Sequence, residues 1–144
     1  MAPHVAPSGR VLTTGDFLDA PVHELMSPGV VAISEDASLD EVYTSLVMHR
    51  VHAILVVGAG HGTPLGWVTA HGLLAYADKD TSIVSARDAV TEQPHAISRG
   101  ASAREAITAL SRVDTTHLIV VESEEHFPVG TISDLDLAAF VSHG

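Results

Sequence analysis

The sequence predicts a mixed α/β (α+β) fold made of two βαββα units packed by pseudo-twofold symmetry. The main observation is an internal repeat, because residues 22–77 align without a gap on residues 86–141 at an offset of 64. Each copy has a Ser-x-x-Glu helix start before an amphipathic stretch. Each copy then has a nearly continuous apolar run, a turn and a second strand-like segment.

The repeated positions fall at predicted helix starts, turns and core sites. We therefore divide the chain into a flexible N-terminal arm and two repeats, at residues 1–21, 22–80 and 81–144. Identical pairs include Ser38/Ser102, Glu41/Glu105, Val56/Val120, Gly66/Gly130 and Leu73/Leu137.

The first elements of each repeat are a short strand and a capped helix. The strands are predicted at residues 30–33 and 95–97, and the helices start at Ser38 and Ser102. A Glu three residues after each Ser completes a capping box. The predicted buried stripe is strong in the first repeat (Leu39, Val42, Tyr43, Leu46 and Val47) and weaker in the second (Ala103, Ala106, Ile107 and Leu110).

Two strands and a final helix complete each repeat. Because a three-stranded unit cannot cover its own sheet, we expect the copies to pack face to face with two clefts between them. The predicted strands cover residues 54–57 and 64–69, then 118–121 and 128–133, and the final helices cover residues 73–77 and 135–141.

Composition and charge limit the possible functions. The 144 residues include no Cys, which excludes disulfides and thiolate metal sites and fits a reducing compartment. Seven Lys and Arg against 18 Asp and Glu give a formal charge of −11, which argues against a nucleic-acid partner. The N-terminus has no signal-peptide core, and the longest apolar run is far too short to span a membrane. We expect a cytoplasmic protein without a membrane partner.

Residues 22–33, the capped helix, the Ile-Leu-Val-Val strand and the closing Gly-x-x-Ser/Thr segment together resemble the cystathionine-β-synthase (CBS) domain. A tandem pair of these domains is called a Bateman module, and the resemblance covers about residues 22–141. It implies a regulatory protein that binds AMP, ADP, ATP, S-adenosylmethionine or an NAD-like ligand between the repeats. It also implies a homodimer and a regulated partner protein, which the sequence does not identify.

The family's ligand motif, Gly-h-h-Ser/Thr-x-x-Asp (h, apolar), stands in the second repeat at residues 130–136. The resemblance implies that Asp136 accepts the ribose hydroxyls. It also implies that Ser133 donates to a phosphate beside free amides of a helix N-terminus. In the alternative interpretation Ser133 or Asp134 simply caps that helix, and Asp136 lies in its first turn.

The remaining implied contacts lie before two strands. Thr116 and His117 are candidates for phosphate, although His117 can equally be an ordinary strand-edge histidine. Adenine would pair with backbone groups near His95, Ala96 and Ile97. In the first repeat Thr69 and His52 take the equivalent places.

The first repeat has Gly72 where the ribose-binding Asp should stand. A glycine has no side chain to hold a ribose. We therefore expect one competent site, in the second repeat, and one degenerate site.

Other chemistries have less support in the sequence. His49 and His52 are spaced i, i+3 but leave their helix, so we expect no metal site. No nucleophile elbow or triad pattern is present, so we expect no catalytic residues. Trp67 could stack a base, but a strand Trp belongs more often to a core or an interface. The alternative function is a ligand-free interaction module whose nucleotide clefts are vestigial.

Overall fold

The computed structural model describes residues 4–5, 11–12, 17–122 and 128–141. They divide into unit 1, which contains Met1–Val30 and His95–Gly144, and unit 2, which is Val31–Pro94. Most of the predicted arm and the predicted turn after the second buried strand lie outside the described residues.

The described elements follow the βαββα order twice, which confirms the predicted fold class. The first copy ends in a 3-10 helix and the second in an α-helix. In chain order the elements are β1 (His4–Val5), β2 (Val11–Leu12), α1 (Val22–Leu25), β3 (Ser27–Pro28), β4 (Ala32–Ser34), α2 (Leu39–His49), β5 (Ala53–Val57), β6 (Pro64–Thr69), two 3-10 helices (Gly72–Tyr76 and Ala86–Ala89), β7 (Ala96–Ser98), α3 (Ala103–Val113), β8 (His117–Val121), β9 (Pro128–Ser133) and α4 (Asp134–Val141).

Unit 2 is built on the sheet β4-β5-β6, in which β4 is parallel and β6 antiparallel to β5. Helix α2 and the 3-10 helices contribute to one apolar core with this sheet. Trp67 on β6 is 2% exposed, so it is a buried residue rather than an open stacking surface. The core comprises Leu39, Val42, Leu46, Ile54, Val56, Val68, Leu73, Ala86 and Ala89.

Unit 1 is built on the sheet β3-β9-β8-β7, and the short strands β1 and β2 pair with each other. Phe17 and Ala20, at the end of the predicted arm, are buried in its core. They join apolar residues of α1, α3, β8, β9 and α4, namely Val22, Leu25, Ala103, Ala106, Leu110, Leu118, Val120, Ile132 and Leu137.

The structural units exchange short segments between the sequence repeats. Residues 22–30 precede the first repeat's strands, yet β3 pairs with β9 of unit 1. Residues 86–94 precede the second repeat's strands, yet Ala86 N donates to Ala37 O at 2.8 Å in unit 2. The entry segment of each repeat therefore lies in the unit that carries the other repeat's strands. There β3 adds a strand to the unit 1 sheet, and Glu92 forms an isolated β-bridge with Trp67 in unit 2.

The exchanged segments cross the sheets at the two repeat-equivalent glycines. A Cβ built on Gly130 would lie 2.6 Å from Ser27 O and 2.5 Å from Met26 Sδ. A Cβ on Gly66 would lie 2.6 Å from Glu92 O. Because glycine has no Cβ, the backbone of the exchanged segment can lie directly against the backbone of the strand at these two positions. Any side chain there would clash.

The prediction that α2 buries Tyr43 and Val47 is wrong. Tyr43 is 36% exposed and Val47 is 75% exposed. The sheet of three strands covers only the helix face centred on Val42 and Leu46, and Val47 lies about 100° further round the helix than Leu46. The weaker stripe of α3 behaves as expected, with Ala103, Ala106 and Leu110 buried and Ile107 half-buried.

Each predicted capping box shows its serine half, in which the Ser hydroxyl caps the start of the long helix. Ser38 Oγ accepts from Glu41 N at 3.3 Å, and Ser102 Oγ accepts from Glu105 N at 3.2 Å. Each Ser therefore satisfies one backbone donor that the helix itself cannot pair.

We predict that Ser102→Ala lowers the free energy of unfolding by about 0.5–2 kcal/mol, because one donor of α3 loses its acceptor. Urea denaturation measures the change. Ser111→Ala, at an exposed position of the same helix, is the matched control and should leave stability unchanged or slightly higher. Equal stability of Ser102→Ala and wild type would show that the cap contributes nothing.

Candidate functional site

One edge of the unit 1 sheet brings the predicted ligand residues together. Strands β7 and β8 are parallel and begin at this edge, whereas β9 runs antiparallel to β8 and ends there. His117 is directly opposite Ser133 in the β8–β9 register. We call this set the unit 1 edge; its members are His95, Ala96, Ile97, Thr116, His117, Ser133 and Asp136.

Ser133 and Asp136 bond each other at the start of α4. Asp136 N donates to Ser133 Oγ at 3.1 Å, and Ser133 N donates to Asp136 Oδ2 at 2.9 Å. These two reciprocal bonds form a capping box, so Ser133 and Asp136 do cap the N-terminus of α4. Among the described residues Asp136 Oδ1 has no hydrogen-bond donor, and the Ser133 hydroxyl keeps its own proton to donate.

The other amides at this helix start also have partners. Asp134 N donates to Thr116 O at 2.9 Å, and Leu135 N donates to Asp134 Oδ1 at 2.7 Å. The free amides expected to receive a phosphate are therefore occupied by the chain itself. A phosphate could reach the Leu135 amide only by displacing the Asp134 carboxylate.

Thr116 and His117 form the β8 side of the edge. Thr116 Oγ1 and His117 Nδ1 are 2.8 Å apart, and both residues are half-buried. This contact orients the imidazole at the strand start, next to Ser133. Both side chains thus lie at the sheet edge that also carries Ser133.

The β7 side of the edge presents backbone groups. His95 O accepts from Ile119 N at 2.9 Å and is used within the sheet. Strand β7 is the last in its sheet, and alternate residues of a parallel strand bond its neighbour. The N–H and C=O of Ala96 therefore point away from β8, as the two groups of an edge strand that can pair with a planar heterocycle.

Unit 2 repeats this arrangement without the carboxylate. Thr69 Oγ1 accepts from Gly72 N at 3.0 Å, and Ala70 N donates to His52 O at 2.8 Å. A Cβ on Gly72 would lie 3.2 Å from Thr91 Cγ2. Thr91 belongs to the exchanged segment, so no local feature of the sequence predicts its position beside Gly72.

The charge of the unit 1 edge is negative. The sequence stretches that form it, residues 93–97, 114–119 and 131–137, contain three Asp and no Lys or Arg. Within these stretches only His95 and His117 have side chains that can become positively charged. This distribution favours a ligand with little negative charge over a triphosphate.

In the part of the chain that the structure describes, no three His, Cys, Asp or Glu side chains are arranged to hold a metal ion.

Of the helices in the described ranges, none has the length and apolar character needed to cross a bilayer.

Comparison with known proteins gives a family match over most of the chain. The model of the CBS domain matches residues 22–79 and again residues 86–143. No curated protein matches the sequence.

Solved structures of CBS domains share the fold. The CBS domain of a bacterial CNNM/CorC family Mg²⁺ transporter in complex with ATP has a TM-score of 0.75 and 23% identity, over 89% of this chain and 91% of that chain. A CBS domain protein from Pyrobaculum aerophilum complexed with AMP has a TM-score of 0.72 and 21% identity, over 86% and 98%. Hypoxic Response Protein I with two coordinated zinc ions has a TM-score of 0.67 and 19% identity, over 83% and 98%.

Proposed function

The chain belongs to the CBS domain family, and on that premise we propose that it is a regulatory module that senses an adenosine-containing ligand. The observation that carries the proposal is the geometry of Asp136. One carboxylate oxygen is held by Ser133 N at 2.9 Å, which fixes the side chain, and the other is left for a ligand donor. A carboxylate fixed by a neighbouring backbone amide is preorganised to accept ribose hydroxyls.

The proposed contacts follow from the unit 1 edge. Asp136 Oδ1 accepts from the ribose, and the Ser133 hydroxyl donates to the adjacent sugar or phosphate oxygen. The outward N–H and C=O of Ala96, flanked by His95 and Ile97, pair with the adenine edge. Thr116 and His117 receive the first phosphate, and a protonated His117 strengthens that contact. Thr69 and His52 mark the degenerate site in unit 2.

The ligand class is narrowed by charge. Two of the compared proteins were solved with ATP and with AMP, so adenine nucleotides are the first candidates. In this chain, however, the edge has two acidic side chains in the first turn of α4 and no Lys or Arg. We propose AMP or the cationic S-adenosylmethionine ahead of ADP and ATP.

Signalling requires a second component. We propose that the protein acts in the cytoplasm as a homodimer, without catalytic activity of its own. The bound ligand shifts the population of conformations and changes the surface shown to a regulated protein partner. No nucleic-acid or membrane partner is part of the proposal, because the chain's charge is −11 and its Lys and Arg are few.

A thermal-shift panel with AMP, ADP, ATP, S-adenosylmethionine and NAD tests the proposal. A ligand at 100 times its Kd adds about 2.7 kcal/mol to the free energy of unfolding. We therefore expect the preferred ligand to raise the Tm by about 5–10 °C, with AMP or S-adenosylmethionine giving the largest shift.

A second candidate function is a ligand-free interaction module. The specific observation in its favour is Gly72, which leaves the unit 2 site without a ribose acceptor. An unchanged Tm with every compound in the panel, at millimolar concentration, would support this candidate and contradict ligand sensing.

A further inference from the structure

The outward face of α3 carries an open groove with a volume of about 260 Å³. It lies on the side of the helix opposite Leu110, which packs in the unit 1 core. None of its lining residues belongs to the unit 1 edge. Five side chains of α3 line the groove, namely Arg104, Glu105, Thr108, Ala109 and Arg112.

Two arginines stand at the ends of this groove. Arg104, Thr108 and Arg112 are spaced four residues apart, which places them along one side of α3, and all three are exposed. The two arginines are eight residues apart, which is about 12 Å along the helix axis. Thr108 Oγ1 donates to Arg104 O at 3.0 Å, so the threonine is turned back onto the helix between them.

The charge of these arginines is only weakly neutralised within the chain. Arg104 Nη2 lies 3.8 Å from Asp19 Oδ1, and the two side chains are 62% and 81% exposed, so solvent screens this pair. Among the described residues Arg112 has no ion-pair partner. By contrast, Arg99 Nη1 is 2.7 Å from Glu122 Oε1. The groove therefore presents positive charge on a chain whose formal charge is −11.

The equivalent helix of unit 2 has the opposite charge. In the groove of α3 two Arg and one Glu give a formal charge of +1. At the equivalent positions of α2 two acidic residues and no basic residue give −2, because Asp40 and Met48 stand in the places of Arg104 and Arg112. An acidic partner would therefore be attracted to α3 and repelled by α2.

The dimensions of the groove suit a short acidic peptide segment. Two carboxylate residues four positions apart in an extended chain are separated by about 13 Å, close to the spacing of Arg104 and Arg112. An arginine can bind a carboxylate through two parallel hydrogen bonds. A nucleic acid fits less well, because a long polyanion would extend beyond the groove along a chain that has 18 Asp and Glu against seven Lys and Arg.

We propose that the groove on α3 binds an acidic segment of the regulated protein partner, with Arg104 and Arg112 each holding one carboxylate. This inference names the docking surface and the chemistry of the partner proposed above, and it rests on the proposed regulatory function. It does not depend on the unit 1 edge, so partner docking and ligand binding can be measured separately.

Mapping of amide chemical shifts by NMR, with hexaglutamate capped at both ends as the probe, tests the docking surface. Extended hexaglutamate is about 20 Å long, enough to reach both arginines. We expect saturable shifts at residues 104–112, and weaker binding at higher salt because exposed charges are screened. Arg112→Glu should weaken binding about tenfold, since an attraction becomes a repulsion. Arg104→Glu/Arg112→Glu should abolish it.

Arg50→Glu is the matched control. It reverses an exposed arginine of unit 2, so it changes the net charge by the same amount outside the groove, and it should bind the probe as the wild type does. A wild type without saturable shifts at residues 104–112, or equal losses in Arg50→Glu and Arg112→Glu, would overturn the docking surface.

The class of partner and the ligand site are distinguished by two further measurements. Tighter binding of an eight-residue oligodeoxythymidine than of hexaglutamate at residues 104–112 would overturn the assignment to an acidic protein segment. The thermal-shift panel reads adenosyl-ligand binding by itself, so a groove that fails this test leaves the sensor proposal in place. Thermal melts confirm that each variant is folded, which substitutions at exposed positions should preserve.

Discussion

Gly130→Ala is expected to destabilise the protein by about 1–3 kcal/mol or more, because the new methyl group has no room. Its Cβ would lie 2.6 Å from Ser27 O, a backbone atom that moves only if β3 separates from β9. The pairing of Ser27 with Thr131 and of Pro28 with Gly130 would be lost in part. Gly66→Ala should show the same effect, since its Cβ would lie 2.6 Å from Glu92 O.

Chemical denaturation of the two variants measures this cost. Gly100→Ala is the control, because no atom lies within 4 Å of a Cβ at that position. It should be neutral or stabilising, as Ala restricts the unfolded chain. If Gly130→Ala were as stable as Gly100→Ala, the exchanged segment would not lie against the sheet as described.

Asp136→Ala is expected to reduce ligand affinity by roughly 100-fold or more, through loss of two charge-assisted hydrogen bonds to the ribose. It should also cost about 0.5–2 kcal/mol of stability, because Ser133 N loses its acceptor. The two effects separate experimentally. Stability is read from the Tm without ligand, and affinity from a titration with the compound that gives the largest thermal shift.

Asp134→Ala is the matched control for charge and helix capping. Asp134 lies in the same first turn and accepts from Leu135 N at 2.7 Å, but it is not assigned to the ribose. Its removal should leave affinity unchanged, or raise it for a ligand that carries phosphate. Equal losses in the two variants would assign both residues to capping alone and contradict the proposed role of Asp136.

Most of the fold follows from local pattern and duplication. The strand bounds at β6 and β9 and the two serine caps match the sequence prediction, because alternation, turns and capping are local signals. The segment exchange cannot be predicted from local patterns. Residues 22–30 and 86–94 occupy equivalent positions in the two repeats, and no local feature shows which unit each segment joins. The exposure of Val47 also depends on how few strands lie beneath α2, which is a tertiary property.

The sequence predicts which residues form the candidate site, but it does not predict the hydrogen bonds that these residues make. The repeat and the family motif select Ser133 and Asp136, and the antiparallel register brings His117 beside Ser133. Thr116 O and Asp134 Oδ1 accept from amides at the start of α4. These bonds follow from the three-dimensional packing and not from a local sequence pattern. The position of Thr91 beside Gly72 also follows from the packing, because Thr91 belongs to the exchanged segment.

We propose that this CBS pair has one competent adenosyl site, in the second repeat. Isothermal titration with the compound that gives the largest thermal shift tests it most directly, because the method counts sites as well as measuring affinity. We predict one site per chain, lost in Asp136→Ala and kept in Asp134→Ala. Two equal sites per chain, or a single site that survives Asp136→Ala, would show that the ligand does not bind through Asp136 in the second repeat alone.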